Sequence, residues 1–511
     1  MFLRYTHPEY ILRFDCSFIY EDIFPYKQYN SFLYNQDNMN NINTPLINKT
    51  AYIGEYTLKE IIKERQEIEK LWQKPHPKKR ILFAGTYPIN QSNGYSKVSY
   101  YTAKHLAKYD DIELTIYGFQ NFKQTHGWQS RNDIPSNVKL HDALATENPR
   151  RSGFGEKEIG KFLKENPQDV IIIFNDSIIT SAITATIINE MSNFRNKFKL
   201  VSYMDQVYPF QKPEYIDLLN KHFDAIIAFT PYWKNIAYQI GIRKDMPIYI
   251  YPHGFDHKLY FPIPINIART YFNIPQDAFC ILNLNRNQPR KQFDTCMIGF
   301  VMMLKRHYLV NVKGHTGKEN GNINFKVNKY TKRPIKFLVG TNPDGYWNLD
   351  AVIKHECLLQ DVPYEYVKDC LWKCDTPQQL SDRSINILQN ACDIGVNSCA
   401  GGGYELTVIE GIGTGKPQVS AFVGGIREYL EPSFSVPVEP VFRQYGDLKG
   451  KGIGVLSELT DPKDYFEGFW KYFANPEIYE KHSKRGRQHI IQNYRWETVA
   501  DMFYNTCLSK I

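Results

Sequence analysis

Between Asn397 and Gly425 the chain reads N-S-C-A-G-G-G-Y-E-L-T-V-I-E-G-I-G-T-G-K-P-Q-V-S-A-F-V-G-G. The run Asp393 to Val396 predicts a buried strand, and three glycines, Gly401 to Gly403, follow it. A helical run then extends from Thr407 to about Gly413, a Gly-Lys-Pro break ends it, and a second strand is expected from Gln418 to Phe422. A glycine-rich turn between strand and helix exposes backbone N–H groups at the helix start, where the dipole adds partial positive charge. Such a spot suits a phosphate. Glu410 lies inside that helix, where its carboxylate can accept hydrogen bonds from a pair of ribose hydroxyls while a diphosphate sits at the helix start.

The elements that must position these groups alternate. Strands are expected at Arg80–Ala84, Glu113–Tyr117, Val170–Phe174, Lys199–Tyr203, Ala225–Phe229 and Ile248–Tyr251, with helical stretches between them such as Tyr95–Lys108, Ser181–Met191 and Pro213–Lys221. This alternation predicts a parallel, doubly wound α/β sheet, which binds ligands beyond the carboxyl ends of its strands. Asp205 sits at one such end, placed either to touch a ligand or to be a plain loop acid. A second set of strands begins at Cys280–Leu284 and continues at Ile335–Gly340. The loop Gly85–Gly94 is not G-x-G-x-x-G, which disfavours a nicotinamide dehydrogenase. Leu58–Trp72 reads as a charged helix with Ile61, Ile62, Ile68 and Leu71 at helical spacing. His307–Arg333, rich in Lys, Asn and Gly, reads as an exposed loop or insertion, and Glu365–Cys374 as a surface segment without assignment. His253, in the turn Pro252-His253-Gly254-Phe255-Asp256, is expected to make a structural hydrogen bond, with Asp256 capping the turn.

The stretch from Gly403 resembles the donor-binding motif of the retaining glycosyltransferases of family four, which have the GT-B fold of two Rossmann-like domains facing a cleft. Gly403, Tyr404, Leu406, Glu410, Gly415, Pro417, Val419, Gly424 and Gly425 fall on its pattern. Two positions depart from it: Gly402 stands where the family has its first Glu, and Glu405 where it has a small residue. Asn285-Arg286-Asn287-Gln288-Pro289-Arg290-Lys291 resembles the family's Gly-Arg-Leu…Lys-Gly signature, and Tyr494-Arg495-Trp496-Glu497 its tail. The resemblance covers residues 80 to 511 and implies domains at 79–262 (acceptor side) and 263–480 (nucleotide-sugar side). A helical tail, 481–511, would cross back, and residues 1–78 would form an N-terminal extension packed on the first domain.

What the resemblance implies is transfer of a sugar from a nucleotide-diphospho-sugar to an acceptor hydroxyl, with retention and without a metal or other cofactor. Arg286 and Lys291 would neutralise the departing phosphate, the backbone at Leu406 and Thr407 would hold the diphosphate, and Glu410 the ribose. Gly403, Tyr404, Gly94 and Asp205 would line the donor site, and Glu405 would replace the missing Glu of position 402 or leave the enzyme to work without it. The acceptor is a glycan, a lipid or a protein. A nucleotide-sugar epimerase of the same fold, or a decayed nucleotide-sugar-binding protein, remains open.

The rest of the chain is compatible with this. At 511 residues two domains are expected, and 42% hydrophobic residues suffice for large cores. A net charge of +8 is modest, and the basic residues form no stripe interleaved with aromatics, so a nucleic-acid partner is not expected. There is no apolar run of membrane-spanning length; Met1–Phe14, charged early and without an apolar core segment, is not expected to be a signal peptide, and nine scattered cysteines predict reduced thiols. A cytoplasmic protein, free of integral membrane segments but open to peripheral membrane contact, is the expectation.

Overall fold

The computed structural model describes residues 55–89, 91, 93–122, 131–314, 329–373, 380–449 and 452–511, so residues 1–54 of the expected N-terminal extension lie outside the described residues. Two parallel sheets organise the chain. The first has seven strands: β1 (Lys79–Thr86), β2 (Ile112–Phe119), β3 (Lys139–Asp142), β4 (Val170–Asn175), β5 (Lys199–Met204), β6 (Ala225–Ala228) and β7 (Ile248–Ile250), in the order β3-β2-β1-β4-β5-β6-β7. The second has six: β8 (Phe279–Asn283), β9 (Ile335–Val339), β10 (Leu371–Lys373), β11 (Ile394–Asn397), β12 (Gln418–Ala421) and β13 (Val436–Val438), in the order β10-β9-β8-β11-β12-β13. Strands with helices on both faces carry apolar side chains on both, which is why β4 reads Val-Ile-Ile-Ile-Phe-Asn and is buried throughout. An antiparallel hairpin, β14 (Pro440–Gly446) with β15 (Val455–Thr460), lies between β13 and the helix Pro462–Ala474.

One expectation needs correction and two gain detail. The helix after the basic loop runs from Phe293 to Asn311, so His307 is not in a loop: it is buried, its Nε2 donates to the Arg333 carbonyl and its Nδ1 accepts from the Tyr366 hydroxyl. Met303, Leu304, His307 and Val310 share the helical spacing that extends the apolar face past the expected break. Residues 315–328 of the same stretch lie outside the described residues. Within the unassigned surface segment, Leu371–Lys373 forms the edge strand β10. In the helix Glu55–Gln73, Ile62 and Leu71 are exposed, while Ile68 and Trp72 turn inward, Trp72 against Phe194 and Phe198. Spacing of four, rather than the count of apolar residues, identifies the packed face.

The chain passes between the halves twice, and the two passages lie side by side. Phe255 and Arg495 form a parallel bridge, with Phe255 N–H donating to the Tyr494 carbonyl and Trp496 N–H to that of Phe255. Gly254 is required here, because a Cβ would stand 2.6 Å from the Trp496 indole. Asp256 caps the turn at the N–H groups of Lys258 and Leu259 and accepts from the Tyr101 hydroxyl. The helix Trp496–Phe503 then packs on the first half: Trp496 stacks at 4.7 Å on Tyr101 of the helix Gly94–Leu106, and Phe503 at 4.1 Å on Tyr251, just past β7. Trp496→Ala removes a fully buried ring from this junction. It is expected to destabilise the protein by about 3–5 kcal/mol in denaturant unfolding, with a loss below about 1 kcal/mol contradicting this packing.

Candidate functional site

The loops beyond the carboxyl ends of the strands meet face to face. From the first half come Gly94 and Tyr95 after β1, Asp205 after β5, Phe229 and Trp233 after β6, and His253 after β7. From the second come Arg286, Arg290 and Lys291 after β8, Gly401 to Glu405 after β11, and Gly424-Gly425 after β12. Direct contacts join them. The Trp233 indole donates to the Gly403 carbonyl at 2.7 Å. A Cβ on Gly403 would lie 2.7 Å from Asp205 Oδ1 and 2.8 Å from Phe229. The Gly424-Gly425 turn backs the same loop, Gly425 N–H donating to the Gly402 carbonyl, and side chains there would strike the carbonyls of Gly402 and Gly403. The glycines of this stretch are therefore set by close backbone approach.

The helix Leu406–Gly413 starts at Glu405, which has φ 58° and caps nothing with its side chain. No side-chain cap thus covers the N–H groups of the first turn, Leu406 and Thr407 among them, which is what an anion at a helix start requires. The Glu405 carboxylate instead folds back over Gly402: a Cβ at position 402 would lie 2.7 Å from its Oε1. Lys291 Nζ donates to Glu405 Oε2 at 2.5 Å, and Arg290 lies 3.3 Å from Oε1 while also donating to the Gly401 carbonyl. Burial opposes ionisation of Glu405, but Lys291 and Arg290 outweigh it and hold the carboxyl below its ordinary range. Burial and the neighbouring Arg290 pull Lys291 down, against Glu405.

Arg286 differs from its neighbours. The residue is exposed, and its guanidinium forms no hydrogen bond or ion pair among the described residues. Desolvation by the surrounding protein and the adjacent Arg290 push it below the ordinary guanidinium value. Two cations thus hold one carboxylate, and Arg286, close enough to Arg290 to be repelled by it, adds a third positive charge that no carboxylate offsets among the described residues. Sequence reading singled out Arg286 and Lys291 but left Arg290 without a role; its part appears only once Glu405 and Gly401 are seen folded onto it.

The remaining positions are placed as follows. Gly94 opens the helix Gly94–Leu106 behind the cap Asn93, and a Cβ there would make an ordinary contact, 3.5 Å, with Leu406. Tyr404 is buried, its ring 4.9 Å from His253 and 5.1 Å from Tyr429, which donates to the Tyr404 carbonyl. Its side chain therefore walls the loop from behind. Glu410 is buried and faces the first half, where Lys97 Nζ lies 2.5 Å from its Oε1. His253 corrects an expectation: neither ring nitrogen has a hydrogen-bond partner, the ring sits among Phe229, Tyr404 and Trp496, and burial lowers its pKa to about 3. It is a neutral packing residue near neutral pH.

Asp205 accepts from the Tyr95 hydroxyl. Burial raises its pKa to about 6, nearby Asp176 adding to the rise, and Tyr95 and Arg290 opposing it. The folded state therefore binds a proton that the unfolded chain has already lost, and stability falls as pH rises from the ordinary carboxylate range through about 6. Asp205→Asn is expected to raise the melting temperature at pH 8 and to lose most of that gain at pH 5. A gain larger at pH 5 than at pH 8 would contradict the raised value.

Neither family models nor curated protein sequences match the chain. Solved structures do. Sucrose-phosphate synthase from Thermosynechococcus elongatus superposes with a TM-score of 0.57 at 13% identity, over 85% of this chain and 98% of that one. HepE from Anabaena, solved with UDP and glucose, gives 0.56 at 13% identity, over 85% and 100%. A glycosyltransferase from Rickettsia africae gives 0.53 at 13% identity, over 84% and 98%.

Proposed function

The chain has the GT-B fold that these glycosyltransferases share; we propose that it is itself a glycosyltransferase, acting on a nucleotide-diphospho-sugar. The observation that carries the reading is the pairing of Arg290 and Lys291 with Glu405, with Arg286 next to Arg290, beside an uncapped helix start, where the loops of both halves converge. A diphosphate would sit between Arg286 and the N–H groups of Leu406 and Thr407. As the bond from the anomeric carbon to the phosphate oxygen breaks, negative charge grows on that oxygen, and the fixed cations stabilise it. No divalent ion is required for that task, and no other cofactor. An acceptor hydroxyl would enter from the first half, on the face of the sugar that the phosphate leaves, and pass its proton to the departing phosphate, giving retention. Glu405, pinned by Lys291 and Arg290 in the space over Gly402, would face the developing charge at the sugar. UDP and UDP-glucose are found with HepE, which favours a uridine nucleotide as the first donor to try.

The test is incubation of the purified full chain with UDP-, GDP- and dTDP-sugars in chelator, without added acceptor. Slow release of free nucleoside diphosphate from one donor is the expected result. An altered sugar still attached to its nucleotide would move the assignment to an epimerase, and absence of binding to every donor would remove the site.

A further inference from the structure

On the side of the site away from the phosphate cations, a buried ionic cluster joins the two halves. Lys97, from the helix Gly94–Leu106 of the first half, is 6% exposed. Its Nζ lies 2.5 Å from Glu410 Oε1, 2.8 Å from the Tyr260 hydroxyl and 3.6 Å from Asp382 Oδ1. Asp382, at the start of the helix Asp382–Ala391, also lies 3.5 Å from Arg131 Nε. Glu410 stands about one helical turn from Leu406, roughly 6 Å along the axis, the offset that suits a ribose when the diphosphate is at the helix start. In the present arrangement that carboxylate is already engaged by a cation from the opposite half.

We propose that the Lys97–Glu410 pair is a gate on the nucleoside end of the site: the ribose hydroxyls of an incoming nucleoside diphosphate displace Lys97 from Glu410, and Lys97 shifts to Asp382. This rests on the donor-site reading above and adds to it the residue that sets donor affinity. Stripping a buried carboxylate of its cation is strongly unfavourable when nothing replaces it. Here both partners are compensated. Glu410 gains two O–H donors, and Lys97 has a second carboxylate within a small side-chain movement. The exchange is therefore close to balanced, and its residual cost appears as a reduced apparent affinity for any ligand that carries a ribose. A ligand with the phosphates alone does not touch Glu410 and escapes that cost. The pair also ties the helix Gly94–Leu106 to the helix Leu406–Gly413, so its release frees one of the contacts that hold the halves together.

The experiment is calorimetric titration of the full chain with UDP, GDP and dTDP, and separately with inorganic pyrophosphate, for wild type, Lys97→Met and Asp382→Asn. Lys97→Met removes the competing cation while keeping most of the length of the side chain. The nucleoside diphosphate that binds wild type is expected to bind this variant roughly tenfold more tightly, with pyrophosphate changed less than about twofold. Asp382→Asn removes the alternative partner and is expected to weaken the nucleoside diphosphate several-fold, again sparing pyrophosphate. Opposite signs on a ribose-dependent readout are not produced by general damage to the fold. If Lys97→Met does not fold, Asp382→Asn decides alone, an unchanged or tighter nucleoside diphosphate overturning the gate. Unchanged or weaker nucleoside diphosphate binding by Lys97→Met, with pyrophosphate preserved, would make the pair a plain buttress. Binding of neither ligand to any of the three proteins would instead remove the donor site itself.

Discussion

Glu405→Gln is expected to lower the rate of sugar transfer, or of donor hydrolysis, by roughly 10²–10³-fold, the size of effect seen when one charge-stabilising group is removed from an active site. The argument starts from two substitutions that look unrelated in sequence. The resembling family has a Glu at 402 and a small residue at 405; this chain has Gly402 and Glu405. The structure brings them together, since the Glu405 carboxylate lies where a side chain on residue 402 would begin. Glu405 also has to adopt φ 58°, a left-handed conformation that disfavours a residue with a Cβ by about 1–2 kcal/mol. That conformation is what turns the carboxylate toward Lys291 and Arg290. A conformational cost at a charged, buried position fits a functional role better than a packing one. The double substitution Gly402→Glu with Glu405→Gly tests the exchange directly. It is expected to recover most of the activity that Glu405→Gln loses, whereas Gly402→Glu alone should not, because it places two carboxylates in one space. No recovery in the double variant, together with full activity in Glu405→Gln, would leave Glu405 as a structural partner of Lys291 only.

Much of the fold could be read from the chain because its strands are short apolar runs bounded by glycine, proline and polar loops, and helices of regular spacing separate them. β4, β5 and β8 announce themselves in this way. The edges do not: β3, with partly exposed residues, and the hairpin β14–β15, with Val441, Phe442 and Tyr445 turned outward, lack the buried pattern that local reading depends on. At the site, backbone roles were legible and side-chain partners were not. Glycines that allow close approach leave a motif, because the loop that needs them is contiguous. Lys97 and Glu410 are separated by 313 positions, and Lys291 and Glu405 by 114, and nothing local marks either pairing. The same limit explains His253: its turn suggests a hydrogen bond, and the aromatic side chains that exclude one come from β4, β5, the loops after β6 and β11, and the helix Trp496–Phe503.

Arg286→Ala and Lys291→Ala are expected to fail in different ways, although both remove a cation from the same loop. Arg286 has no protein partner among the described residues, so its loss leaves no orphaned charge in the free protein. It even relieves repulsion on Arg290, which contributes to the lowered Arg286 pKa. Thermal stability should therefore be unchanged or slightly higher in Arg286→Ala, while affinity for the nucleoside diphosphate falls by about 3 kcal/mol, or roughly 10²-fold, the loss of a charge-assisted contact in a desolvated site. Lys291 is 7% exposed and bound to Glu405. Removing it leaves a buried carboxylate with Arg290 as its remaining close cation, so Lys291→Ala should destabilise the protein by about 3–5 kcal/mol at pH 7. The loss should shrink as the pH falls. Wild-type Glu405 has its pKa held down by Lys291 and Arg290, and in the variant it takes up a proton at higher pH, which ends the penalty of the unpaired charge. Melting curves at pH 5 and pH 7, set beside titrations with nucleoside diphosphate, separate the two cases. A destabilised Arg286→Ala, or a Lys291→Ala as stable as wild type, would mean that the division between a ligand-facing cation and a carboxylate-holding one is wrong. If both hold, the loop divides its labour: Lys291 and Arg290 fix the acid, and Arg286 waits for the phosphate.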